Sequence, residues 1–557
     1  MSKFLSQYSR WIIAGFGFLV FGLTELTWWT DEPYWQKGEG ALIDRRYLLR
    51  GERRADADIQ LVGIGTSAFQ LDALSTNEIA ASPTLQLMRQ PWPWDRRVDA
   101  AILDKLEGAG AKVVMFDFVF ASATDGDDEF AHVLEKYKDR VVIGEMIQDE
   151  KTPDGHTKRL IQPNSRITQG DLSVVGLVNQ WPDADDTVRR VRYRTSVERE
   201  TAEMQDINPN IAVYLSQQVA AGKIPDDLTQ ITLVTAEKFH GKQVAPPHGE
   251  FRLIDFQGRA GTYRPLPVEN MFVDELWTNP PFSSGAVFSN KIVIVSPTAE
   301  IFHDIHVTPF DLMPGPEVQA QILGALLHQS WLTETSLLIN LAIALGMLFL
   351  GLEICLHIRN ALLKVGLLIT TVVLFFIGCQ YAFSYHKLVL PMMQPLFCFV
   401  VPCTFGVAFQ FALEQIERLR TRSALNRLVS ENVAKLILDD QRDFEERKKG
   451  RKQAVTILFS DIRGFTSMTE SSDATKLVAQ LNEYFLEMGG IIRQESGTLS
   501  KYIGDAIMAA WGDTHSEGLA EDARSAVSAA LQMRLALAKL NERWATQPDR
   551  KNWKTGI

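Results

Sequence analysis

"GTLSKYIGDAIMAAWG" (497–512) sets a lysine, a glycine and an aspartate in the middle of an apolar run. Burying a charge is costly, so Lys501 and Asp505 in such a run demand a reason. The run reads as two strands reversing at Gly504 and Asp505, which puts Asp505 at the tip of a hairpin. Upstream, "AVTILFSDIRGFTSMTE" (454–470) begins as a buried strand, ends in Asp461 and passes through a glycine-containing turn into a helix-compatible stretch. The intervening "ATKLVAQLNEYFLEMGGIIRQE" (474–495) spaces Leu477, Leu481, Tyr484, Phe485, Met488 and Ile492 along one helical face, which reads as core. If the two strands are neighbours, the carboxylates of Asp461 and Asp505 come together. Such a pair holds two Mg²⁺ or Mn²⁺ ions, and backbone N–H groups of a strand-to-helix turn hold phosphate oxygens. The combination suits a nucleoside triphosphate.

Working outward, "EDARSAVSAALQMRLALAKLNERW" (521–544) is a further amphipathic helix, and the chain then reads "KNWKTGI" to Ile557. On the other side, "LEQIERLRTRSALNRLVSENVAKLIL" (413–438) keeps Leu413, Ile416, Leu425, Leu428, Val429, Val433 and Leu436 on a helical stripe. One or two helices are expected there, either pairing in parallel with a second copy or packing on their own domain. The charged "DDQRDFEERKKGRKQ" (439–453) reads as a solvated linker, so 413–453 forms a connector.

Four stretches approach the length and apolarity of a bilayer span: 11–29, 336–356, 361–383 and 388–412. The first follows Lys3 and Arg10, ends in Trp28 and Trp29, and shows no small-residue cleavage site, so it reads as an uncleaved signal anchor. Lys3 and Arg10, Arg359 and Lys364, and then Arg418, Arg420, Arg422 and Arg427 fall on alternate sides of successive spans. A cytoplasmic N-terminus (1–10), an outward-facing segment 30–333 and a cytoplasmic 454–557 follow. Glu25 and Glu353, near span ends, read as groups reaching the interface. A net charge of −11 argues against a nucleic-acid partner. Cys355, Cys379, Cys398 and Cys403 all lie in or beside the apolar runs, which leaves no disulfide framework for 30–333.

The outer segment reads as α/β. "IQLVGIG" (59–65) and "KVVMFDFVF" (112–120) are buried strands around the helix "RRVDAAILDKLEGAGA" (96–111), a βαβ-like unit. "KIVIVS" (291–296) and "GPEVQAQILGALLHQ" (315–329) supply a later strand and helix, so the domain is expected to close around its first and last strands. His303, Asp304 and His306 could contact one ion, but a polar loop gives the same letters. Asp125, Asp127, Asp128 and Glu129 read as a solvated loop or helix start, with loose calcium ligation as the alternative. Trp92 and Trp94 read as packing residues that could also line a pocket.

Two resemblances are carried by these residues. "PWPWDRR" (91–97), "LEGAGAKVVMFDFVF", "LIDFQGRAGTYRPLP" (253–267) and "IVIVSPTAEIFHDIHVTPFDLMPGPEVQAQI" resemble the CHASE domain of the second type, an extracytoplasmic sensory module, over about residues 30–333. That resemblance implies an anchor span before the module, about three after it, and a stimulus of unknown chemistry. "FSDIRGFTSMTE" and "KYIGDAIMAAWG" resemble the class III adenylyl/guanylyl cyclase domain. By that resemblance Asp461 and Asp505 are catalytic metal ligands, joined by the backbone of Ile462, and Ile462, Gly464, Phe465 and Thr466 meet substrate. Lys501 matches the lysine that recognises adenine, whereas guanylyl cyclases usually carry glutamate there. A cation donates to adenine's ring nitrogen, while guanine's N–H groups need an acceptor, so ATP is favoured over GTP.

The resemblance further implies a ferredoxin-like (βαββαβ) cyclase domain acting as a homodimer. The expected whole is a multidomain α/β membrane protein: an α/β sensor, four transmembrane helices and a cyclase domain that dimerises with help from the connector. In the family, another central strand, the second base-specifying residue and the transition-state asparagine and arginine come after the position of Ile557, so a C-terminally incomplete domain is expected. Three readings stand: a receptor adenylyl cyclase, a guanylyl cyclase, and a non-enzymatic receptor or regulatory partner. A diguanylate cyclase fits poorly, because Gly489 and Gly490 fall inside a helix pattern instead of a signature loop.

Overall fold

The computed structural model describes residues 2–30, 33–152, 155–196, 227–244, 251–358, 360–428, 452–513, 516–547 and 550–557. The chain divides into two compact units, 10–406 and 407–557 together with 1–9.

The first unit holds an α/β domain and most of the apolar helices. Helix α1 (Ser2–Trp29) and helix α2 (Pro33–Arg50) lead to strand β1 (Ile59–Ile64). Helix α3 (Arg96–Gly108) then connects to β2 (Val113–Val119), followed by β3 (Val141–Thr152), β4 (Gly155–Ile161) and β5 (Val175–Leu177). Helix α4 (Ile231–His240), β6 (Leu266–Pro267), β7 (Ile292–Pro297) and helix α5 (Gly315–Leu327) complete it. The sheet order is β6-β1-β7-β2-β3-β4, with β5 also on β3; β7 inserts between β1 and β2 and pairs parallel to both. The domain therefore does close its first and last main strands on each other.

Both faces of this sheet are covered, which is why its strands are continuous apolar runs. Along β7, Val293 and Val295 pack with Val98, Ile102 and Leu106 of α3, while Ile292 and Ile294 pack with Val318, Ile322 and Leu326 of α5. Asp95 caps α3, its Oδ1 accepting from the Arg97 N–H at 2.9 Å.

Among the described residues, four helices are long and apolar enough to cross a membrane: Tyr8–Trp28 within α1, then α6 (Leu337–His357), α7 (Ala361–His386) and Met393–Arg420 within α8 (Met393–Leu428). The fourth starts at Met393, later than the apolar run beginning at 388 suggests. Leu388 and Val389 are instead a short strand paired parallel to Thr333 and Glu334. Helix α8 continues from the apolar segment to Leu428 without a break. Of the connector's stripe residues, Val429, Val433 and Leu436 lie outside the described residues.

The second unit's α/β domain runs β8 (Thr456–Ile462), α9 (Phe465–Ser471), α10 (Ala474–Gln494), β9 (Thr498–Ile503), β10 (Ala506–Trp511), α11 (Leu519–Ala545) and β11 (Thr555–Gly556). Its sheet is antiparallel in the order β9-β10-β8-β11. Helices α10 and α11 share a core with the sheet through Tyr484, Met488, Ile492, Met533, Leu540 and Trp544. Trp553 joins that core, and Asn541 fixes it: the Asn541 Nδ2 donates to the Trp553 carbonyl and its Oδ1 accepts the Trp553 N–H, each at 2.8 Å. This anchor brings the chain back to pair beside Asp461 and Ile462.

Candidate active site

Strand β8 alternates: Leu458, Ser460 and Ile462 are buried, while Ile457, Phe459 and Asp461 face outward. The helices cover the first set. Asp461 therefore sits on the open face of the sheet, in line with Ile457 (47% exposed) and Phe459 (55% exposed).

The reversal of the neighbouring hairpin falls at Gly504 and Asp505, between the paired residues Ile503 and Ala506. Gly504 takes a φ of 66°, in the left-handed region where glycine pays no Cβ penalty. Asp505 meets the end of β8 there. The Ile462 N–H and the Asp461 carboxylate both lie close to its carboxylate. Burial raises the Asp505 carboxyl above its ordinary value; the Asp461 charge adds to the rise, and backbone N–H groups oppose it.

Lys501 reaches the same face by an irregularity. Leu499 pairs with Ala509 and Lys501 with Met508, so Ser500 is an extra residue in β9. Strict alternation from Leu499, which packs on the core, would turn Lys501 towards the helices. The bulge turns it outward, in register through Met508 with Phe459. Tyr502 then faces the helices and stacks on Phe485, ring centroids 4.2 Å apart.

After Ile462, the Arg463 N–H donates to the Lys554 carbonyl at 2.8 Å, and Gly464 (φ 73°) stands at the N-cap of α9. Phe465 and Thr466 form its first turn, whose N–H groups have no partner within the helix. A second layer lies beneath, of which the sequence placed only Tyr484, and that as core. Tyr484 and Ser460 are buried with their hydroxyl oxygens 3.2 Å apart. Burial pushes the Tyr484 phenol up to about 12, with the Asp461 and Asp505 charges adding to the effect. The signal for this layer was a polar residue, Ser460, at an inward position of β8.

The other sequence candidates fall elsewhere. His306 Nε2 lies 2.8 Å from Asp304 Oδ1, and His303 is an exposed helix cap. Asp127 starts a helix, as one reading of the acidic cluster has it, but it is buried instead of solvated. Its Oδ2 accepts from Asn164 Nδ2 at 2.8 Å, and its Oδ1 lies 3.7 Å from Arg96. Trp94 is buried, and Trp92 packs with it, Phe69, Phe118 and Phe302. Among the described residues no group of three or more His, Cys, Asp or Glu side chains is placed to hold a metal ion.

The CHASE2 domain model matches residues 16–353, more than half of the chain. The chain belongs to the CHASE2 family. This CHASE2 protein also carries an adenylate and guanylate cyclase catalytic domain, whose model matches residues 447–553 and so includes Asp461, Lys501 and Asp505. An adenylate cyclase of Anabaena cylindrica is 32% identical over 152 residues, 27% of this chain and 28% of the relative. Adenylate cyclase 1 of Rhizobium meliloti is 35% identical over 60 residues, 11% of this chain and 9% of the relative. The chain thus spans under a third of the length of these curated relatives. Among solved structures, the adenylyl cyclase CyaB from P. aeruginosa is 36% identical over 19% of this chain and 54% of that chain, with a TM-score of 0.19. The guanylyl cyclase Cya2 is 34% identical over 19% of this chain and 52% of that chain, with a TM-score of 0.18.

Proposed function

We propose that this CHASE2 protein is a membrane-bound receptor adenylyl cyclase that converts ATP to 3′,5′-cyclic AMP and pyrophosphate. The observation that carries the reading is the meeting of Asp461 and Asp505 on an open sheet face that also presents Lys501. Two carboxylates close to each other, with one held above its ordinary value, form a site short of positive charge. Asp461 and Asp505, with the carbonyl of Ile462, would hold two Mg²⁺ or Mn²⁺ ions, and substrate phosphates would complete the ligand set. The ions would supply Lewis-acid stabilisation of charge on the phosphates and a lowered pKa for the attacking hydroxyl.

The chain's own groups orient the substrate. First-turn N–H groups at Phe465 and Thr466, beyond Gly464, suit phosphate oxygens. Lys501 donates to a ring nitrogen of adenine. The ribose 3′-oxygen then attacks the α-phosphorus in line, its proton leaves, and pyrophosphate departs; no protein nucleophile takes part. The open face is apolar as well as charged, with Ile457, Phe459 and Ile503 exposed around the site. A patch of this kind marks a protein interface, which supports a homodimer closing over the site. A ferredoxin-like description of the domain agrees with its strand and helix order.

The basic residues flanking the spans support a cytoplasmic cyclase domain and an outward CHASE2 domain acting as its sensor. Full-length protein in membranes, assayed with ATP or GTP and Mn²⁺, tests the whole reading. Cyclic AMP formation that is lost in Asp461→Ala and Asp505→Ala is expected. Activity retained in either variant sinks the metal assignment, and equal turnover of GTP overturns the reading of Lys501.

A further inference from the structure

Helix α2 contains Gly38-Glu39-Gly40, and only proline disfavours a helix interior more than glycine does. Each glycine has a neighbour pressed against it. A Cβ at Gly38 would lie 3.0 Å from Cε of Met393, the first residue of α8, and a Cβ at Gly40 would lie 2.9 Å from Cζ of Arg189 in the CHASE2 domain. The triplet thus lets one helix touch both.

Polar contacts divide in the same way. Towards the CHASE2 domain, the buried Arg189 grips Asp44 of α2 with two hydrogen bonds of 2.7 and 2.6 Å, and is itself held by Asp183 and Asp185. Arg50, at the end of α2, pairs with the buried Asp255 at 2.6 Å. Towards the apolar helices, Glu39 Oε2 accepts the N–H groups of Met392 and Met393 at 2.9 and 2.8 Å. These amides open α8 and have no partner within it, so Glu39 caps a helix from another element. Arg46 Nη2 holds the other Glu39 oxygen at 2.9 Å, Gln380 of α7 donates to the Arg46 carbonyl, and Glu25 of α1 accepts from Gln394 in the same first turn of α8.

We propose that α2 couples the CHASE2 domain to the output helix, with the Glu39 carboxylate as the joint that sets the position of α8. The proposal rests on the receptor reading above. Helix α8 passes uninterrupted from the apolar segment to Leu428 in the connector. A stimulus that favours one placement of α2 over another biases α8 by the same differential free energy.

The test uses the full-length chain in lipid nanodiscs, with hydrogen exchange over 392–396 and cyclic AMP formation as two readouts. Glu39→Ala speeds exchange at Met392 and Met393 by roughly fivefold or more and changes basal activity. Asp44→Ala, which touches neither amide, speeds exchange in the same direction, and the double variant goes no further than Glu39→Ala alone. Gly40→Ala removes no polar group and acts like Asp44→Ala by displacing Arg189, which answers the objection that a variant has simply unfolded. Arg97→Ala, which breaks the Asp95 pair elsewhere in the domain, leaves this exchange unchanged. Three results overturn the coupling: exchange unmoved by Asp44→Ala, exchange raised equally by Arg97→Ala, or unaltered activity in Glu39→Ala with exchange raised. A wild-type chain that forms no cyclic nucleotide sinks the cyclase reading, and the exchange comparison then decides the coupling alone.

Discussion

The carboxylate of Asp505, at a hairpin tip, lies close to the carboxylate of Asp461, at the end of a neighbouring strand. Two acids placed so do not ionise together without cost. Burial and the Asp461 charge raise the Asp505 carboxyl, so the stability it contributes is full below the ordinary aspartate range and is lost as pH rises through the raised value. In metal-free protein, Asp505→Asn should therefore raise the melting temperature of the cyclase domain at neutral pH and have less effect at low pH. The same variant should lose the stabilisation that Mn²⁺ gives the parent. A melting temperature that Mn²⁺ raises equally in both proteins would falsify the paired-carboxylate site.

Lys501 depends on the bulge at Ser500 for its orientation. Lys501→Ala removes this donor and leaves the bulge in place, so turnover of ATP should fall by about tenfold or more, the value of a charge-assisted hydrogen bond. Lys501→Glu should move preference from ATP towards GTP. Steady-state kinetics with both nucleotides read the two effects, and an unchanged ATP/GTP ratio in Lys501→Glu would exclude base recognition by this residue.

Asn541 makes both of its amide hydrogen bonds to the backbone of Trp553, the anchor that returns the chain to pair with Asp461 and Ile462. Asn541→Ala forfeits two hydrogen bonds and should cost the domain about 2 kcal/mol in urea unfolding. Hydrogen exchange at 553–556 should rise and Mn²⁺ affinity should weaken. Protection at 553–556 as in the parent would show that another contact holds this return.

Asp99 of the CHASE2 domain is buried 3.2 Å from Arg96, and burial outweighs that guanidinium to raise its carboxyl to about 7. Its contribution to stability is full below pH 4 and is lost as pH climbs through about 7. The domain's melting temperature should fall between pH 5 and pH 8, and Asp99→Asn should flatten that dependence. An equal slope in the variant would assign the pH response to other groups.

The hairpin was legible because an apolar run interrupted by Gly504 and Asp505 has few other solutions, and Asp461 was legible because a buried strand ending in a carboxylate announces itself. The CHASE2 α/β domain was legible from the periodicities around Val98–Leu106 and Ile292–Val295, which match one helix and one strand covered on both faces. The start of α8 at Met393 was not, since Leu388 and Val389 are apolar enough for a span and become a strand only because Thr333 and Glu334 lie beside them. The roles of Glu39 and of its flanking glycines were equally hidden, because their partners, Met393 and Arg189, are remote in sequence.

Residue type and local periodicity determined where charge is placed in this chain: Asp461 and Asp505 at a strand end and a turn, Lys501 nearby, and four apolar helices. Only the tertiary structure decided which of those charges share a face. The side on which Lys501 emerges is set by a one-residue mismatch between β9 and β10, and the capping of α8 by Glu39 is set by packing between distant helices. Both depend on pairwise register between segments, a quantity that no single segment's pattern contains.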